Sequence, residues 1–184
     1  MSAGRIAAVV AALASTVLVA AGCGSSGSQT TTTSAQTAPQ QWADGLCQAV
    51  DTYVGALRSA GAGLQTDVSQ NGLDDARNAV KDATSTFTSA VGSLGRPSTA
   101  SGREAQQEVQ QLASSVEQQA SKIKDATESV NGAKGVFSAV TVVGGALVSA
   151  KDQVAATVQK LQTLPHGELK QAFSSSQSCA TVGQ

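Results

Sequence analysis

Three cysteines, Cys23, Cys47 and Cys179, and a single histidine, His166, are the side chains with the most specific chemistry in this sequence. An odd number of cysteines in an exported chain leaves one thiol outside any internal pair, either bonded to a partner or chemically modified. Two distant cysteines and one histidine lack metal-ligand spacing, so neither a metal nor a cofactor is expected. Serine nucleophiles have no base to serve them: His166 sits in a proline turn, and neither a G-x-S-x-G elbow nor a G-x-x-x-x-G-K-[ST] phosphate loop occurs. Asp74 and Asp75 are adjacent on a helical pattern and diverge by about 100°. That suits compensation of a helix dipole better than paired acid/base work. Lys122, Lys124, Asp125 and Glu128 read as a solvated mixed-charge face. With no convergent constellation, an enzyme is not expected.

The elements that must position these residues begin with an export segment. Met1 to Arg5 carry one positive charge, Ile6 to Ala21 run without a charged residue, and Ala20, Ala21 and Gly22 lead into Cys23. This is the order of a signal peptide over residues 1–22. The apolar run of about 16 residues spans about 24 Å as a helix, short of the roughly 30 Å hydrocarbon core. From Gly24 to Gln41 there is no charge and no large apolar residue, so residues 23–41 are expected to be a disordered Ser/Thr/Gln-rich tether. The threonine run at 30–33 reads as part of that spacer.

VAAGC, Val19 to Cys23, resembles the lipobox of bacterial lipoproteins, with Ala20 standing where leucine is commonest. The resemblance implies cleavage before Cys23 and a diacylglyceryl thioether on its sulfur. Palmitate or a similar chain on the new amino group would add to that anchor. It also implies a chain held on the extracytoplasmic side of the cell membrane through Cys23. Each buried methylene contributes about 0.8 kcal/mol, and two or three chains hold stably where one does not.

Cys47 and Cys179 are then left to each other in a compartment where disulfides persist, with two buried free thiols as the alternative. A tryptophan and a cysteine on the first helix, with Leu169, Ala172 and Phe173 shortly before Cys179, also resemble small helical lipoproteins of actinobacteria. That second resemblance implies location and build, not an activity.

Residues 42–184 follow a helical period. Trp42, Leu46, Val50, Tyr53, Val54 and Leu57 place an apolar stripe on a first helix that should fade near Gly61 and Gly63. Asn71 can cap a second, with Asp74 and Asp75 in its first turn; Leu73, Val80, Phe87 and Leu94 recur every seven residues, with Ala76, Ala83 and Ala90 between them. It should end at Gly95. Ala105, Val109, Leu112, Val116, Ile123, Ala126 and Val130 carry a third helix whose glutamines, Gln119 among them, cover its outer face. Val136, Val140, Val143, Leu147, Ala150, Val154, Val158 and Leu161 carry a fourth, closed by Pro165. Gly135 to Val148 is β-branched and contains Gly144 and Gly145, yet the stripe runs through it and no strand partner exists. It reads as helix, too short for a membrane span.

The expected fold is therefore all-α: an antiparallel four-helix bundle with a short C-terminal helix through Leu169, Ala172 and Phe173. Trp42 and Leu164 should share a pole, bringing Cys179 beside Cys47. A formal net charge of −1, with Arg58, Arg77 and Arg103 isolated from aromatic residues, gives no reason to expect nucleic acid. The first functional expectation is a non-enzymatic binding or interaction module of the cell envelope with an envelope protein as partner. The second is a small-molecule or lipid carrier, its cavity lined by Val136, Phe137, Val140, Val143 and Leu147 where the two glycines relax the packing. Close helix packing is the simpler reading of those glycines.

Overall fold

The computed structural model describes residues 36–165 and 167–180. The export segment, Cys23, the tether to residue 35 and His166 lie outside the described residues. Four long helices fill most of the rest: α1 (Pro39–Thr66), α2 (Gln70–Leu94), α3 (Gly102–Glu128) and α4 (Gly132–Gln162), with 28, 25, 27 and 31 residues. A short α5 (Glu168–Ser175) follows. Two-residue strands, β1 (Gln36–Thr37) and β2 (Arg96–Pro97), pair in parallel with Gln36 opposite Arg96. Turns of a few residues between α1, α2, α3 and α4 make consecutive helices antiparallel. α1 packs broadly on α2, and α3 on α4; α2 joins the two pairs, while α1 and α4 meet over much less surface.

The amphipathic pattern explains each long helix. Trp42, Leu46, Val50, Tyr53 and Leu57 of α1 are all buried, and the helix continues past Gly61 and Gly63 because Leu64 extends the same stripe into the core. Burial of a leucine, about 1.5–3 kcal/mol, outweighs the roughly 1 kcal/mol cost of each glycine. The start differs as well. The sequence pattern begins the body at Trp42, whereas Gln36 and Thr37 pair with β2 and Pro39 opens α1. Proline suits a first helical turn, where its missing N–H would have had no helical partner. The end of the expected tether thus belongs to the folded body.

In α2 the cap is Ser69, not Asn71: its hydroxyl accepts from the Gly72 amide at 3.2 Å. Asp74 consequently falls beyond the first turn and pairs with Arg77 at 3.3 Å. The buried positions are Leu73, Ala76, Val80, Thr84, Phe87 and Val91, with Ala83 and Ala90 only half-buried. Spacings of three and four that average 3.6 describe a straight helix, not a strict seven-residue repeat. In α3 Gln119 is buried at 7 % exposure, between Val116 and Ile123 in the stripe, rather than on the outer face. Thr127 replaces Ala126 at the last buried position. Helix α4 runs unbroken through Gly144 and Gly145.

One pole is tightly closed. Gly95 ends α2 with a φ of 65°, a conformation open to glycine and costly for other residues, and its carbonyl accepts a 3.2 Å bond from Trp42 Nε1. The Phe173 ring meets Trp42 edge-on with centroids 6.3 Å apart. Ser101 Oγ donates to Pro165 O at 2.8 Å, and the Ala100 amide donates to Glu168 Oε2 at 2.9 Å, tying α5 to the α2–α3 turn. Ser176 Oγ donates to Asp44 Oδ1, and Cys47 and Cys179 are joined with Cα atoms 5.1 Å apart. The shared pole and the cysteine pair expected from the sequence are both present.

Polar groups in the core go unmet beside the Tyr53–Phe87 aromatic pair. Tyr53 packs against Phe87 with centroids 5.1 Å apart, but neither its hydroxyl nor that of Thr84 forms a hydrogen bond among the described residues. Burial pushes the Tyr53 phenol above its ordinary 10.0, and the nearby Thr84 hydroxyl only tempers the shift. A buried unpaired hydroxyl costs about 1–3 kcal/mol, so Tyr53→Phe should unfold at equal or higher urea concentration than the wild type at neutral pH. A folded-state pKa above the unfolded one makes the wild type lose stability as pH rises past about 10. Denaturation curves should therefore separate further in that range. Replacing both Cys47 and Cys179 by alanine should cost on the order of 4–5 kcal/mol, read in the same way, because the bridge spans 132 residues and restricts the unfolded chain.

Candidate ligand groove between α1 and α4

The seam where α1 and α4 meet least is a groove of about 550 Å³. One wall is the second half of α1, with Val54, Leu57 and Leu64, continued by Val68 in the turn that follows it. The other is the middle of α4, with Val140, Gly144, Leu147 and Val148. Because the helices are antiparallel, Val54 lies toward Lys151 and Val68 toward Val140. Leu57, Leu64 and Leu147 form a buried floor, while Val68 and Val148 stand at the rim, 46 % and 60 % exposed. Arg58 and Lys151 are the charged residues lining the groove, both cationic and both at its mid-bundle end. No ion pair engages Lys151 among the described residues.

Of the five residues expected to line a cavity, Val140 and Leu147 do so. Val136, Phe137 and Val143 do not. Val143 is fully buried in the bundle core, Val136 is half-buried against that core, and Phe137 points outward at 66 % exposure. At about 100° per residue the turn of the helix divides the expected set between core, groove and surface. Gly144 shapes the groove by what it lacks, since an added Cβ there would meet no atom within 4 Å beyond its own turn of helix among the described residues. Gly145 also faces open space, so close packing does not account for the pair. The α1 wall was not legible as a wall, because Val54 and Leu57 read as ordinary members of the core stripe. The one available signal was Gly61, which lines the groove beside Leu147.

Helix α4 has a second unusual property. The apolar stretch Gly135–Val148 alone is too short to span a bilayer, but it belongs to a 31-residue helix with an 18-residue window apolar enough to cross one by length and composition. Only 28 % of that window is buried within the bundle, and Phe137, Val142 and Val148 are exposed. Among the described residues, no group of three or more His, Cys, Asp or Glu is placed to hold a metal. Between α2 and α3, near Trp42, a smaller cleft of about 310 Å³ carries Gln106, Gln110 and Glu117 and lacks the apolar lining of the α1–α4 groove.

Compared with protein-family models, curated proteins and solved structures, the chain matches none.

If Gly145 faces open space, Gly145→Ala should stabilise the chain by about 1 kcal/mol through helix propensity, measured by urea unfolding. A loss of stability instead would mean that the glycine is needed for close approach.

Proposed function

We propose that this chain is a lipid-anchored extracytoplasmic binding module without enzymatic activity, and that the α1–α4 groove is its binding site. The supporting observation is an apolar groove left open beside an otherwise well-packed core: leucines form its floor and valines remain exposed on both rims. Water-exposed apolar surface of this kind costs stability that a bound apolar group would restore. Support for the anchor comes from the order of charged start, apolar run, small residues and Cys23 in the sequence. The concave shape favours the carrier form of this function over docking of an envelope protein, because about 550 Å³ between two helices falls within the range of small-ligand sites.

The full chain isolated from its own membranes should exchange backbone hydrogens more slowly over residues 54–68 and 140–151 than the same chain after solvent stripping. Equal exchange in both samples would overturn the binding site. In the same preparation, Cys23→Ser should yield a precursor without thioether lipid by intact mass, and normal maturation would overturn the anchor.

A further inference from the structure

We infer that the α1–α4 groove takes a free long-chain carboxylate, a fatty acid, with its head between Arg58 and Lys151 and its chain running toward Val68 and Val140. This rests on the groove being the binding site, and names the occupant. Three observations select it. The charge is polarised: among the described residues both charged lining residues are cations, they sit together at the mid-bundle end, and no acidic residue lines the groove. An anionic head is therefore favoured at that end, where Lys151 brings a charge not engaged in an ion pair among the described residues. The length fits, because the α4 wall from Lys151 to Val140 covers about 16 Å of helix and one leaflet's acyl chains fill about half of the roughly 30 Å hydrocarbon core.

The volume fits a single chain. A groove of about 550 Å³ lies in the range of single small-ligand sites, which suits one acyl chain. A diacyl lipid would have to leave a chain outside. Gly144 makes room at the middle of that path, since open space lies where its side chain would be. Lys151 supplies the polar end without first giving up a carboxylate partner from the described residues.

The test uses the full chain in nanodiscs of neutral phospholipid, with a diazirine-bearing palmitic acid, the matching diazirine-bearing hexadecanol, and a phospholipid carrying the same group. Labelled peptides are located by mass spectrometry. The acid should label residues 54–68 and 140–151. Gly144→Phe fills the open space while improving helix propensity over glycine, and should lower that labelling at least about tenfold, with helix content unchanged by circular dichroism. Lys151→Glu should lower labelling by the acid about tenfold relative to the alcohol.

Acid labelling that is scattered over the bundle, or undiminished in Gly144→Phe, would overturn the proposal. Preferential labelling of residues 137–148 by the phospholipid would also overturn it, and would assign this face to membrane contact. If the acid fails to label while stripping still speeds hydrogen exchange in the groove, the occupant is of another chemistry and the binding-module reading stands.

Discussion

The structure depends on the locking of one end of the bundle. At that pole Trp42 is almost wholly buried, bonded to the Gly95 carbonyl and covered by Phe173, and the Cys47–Cys179 link holds α5 over α1. A core poor in aromatic residues has few large side chains with which to fix the relative positions of four helices. Placing Trp42 and Phe173 here, with a covalent bond, registers all four helix ends that meet at this pole. The seam between α1 and α4 can then be loosely packed along the second half of α1 without the helices losing their alignment.

The same division between tight and loose packing appears in the small residues. Where Ala43, Ala49, Ala60, Ala105, Ala139, Ala146 and Ala150 are buried, missing side-chain volume lets backbones approach and the core closes. Where Gly144 and Gly145 turn away from the core, missing volume leaves space. Small side chains have opposite consequences on two faces of one helix, and which consequence follows is decided by helical phase rather than composition.

This is why the fold could be read in the sequence while much of the groove could not. A period near 3.6 is a property of one helix at a time, so Trp42, Leu46 and Val50, or Val154, Val158 and Leu161, declare a buried face without reference to any neighbour. Short turns then leave little choice of topology, and Gly95 marks a helix end by its own backbone requirement. The groove is a relation between two helices distant in sequence. Val140 and Leu147 could be picked out because they flank the glycines, but their partners Val54 and Leu64 look no different from core residues until α1 and α4 are brought together. Local capping was misread for a related reason: Ser69 and Asn71 are both good cap residues, and only the path of the preceding turn selects between them. The amide of Gly72 reaches the Ser69 hydroxyl, which leaves Asp74 beyond the first turn.

The cysteine bridge has a topological effect that is separate from its energy. It closes the chain into a covalent ring from Cys47 to Cys179, and both walls of the groove lie within that ring. A proteolytic nick in any turn between the long helices opens the ring to a linear molecule but does not release a fragment from it. The two helices that face each other across the groove would still belong to one molecule after the first cut.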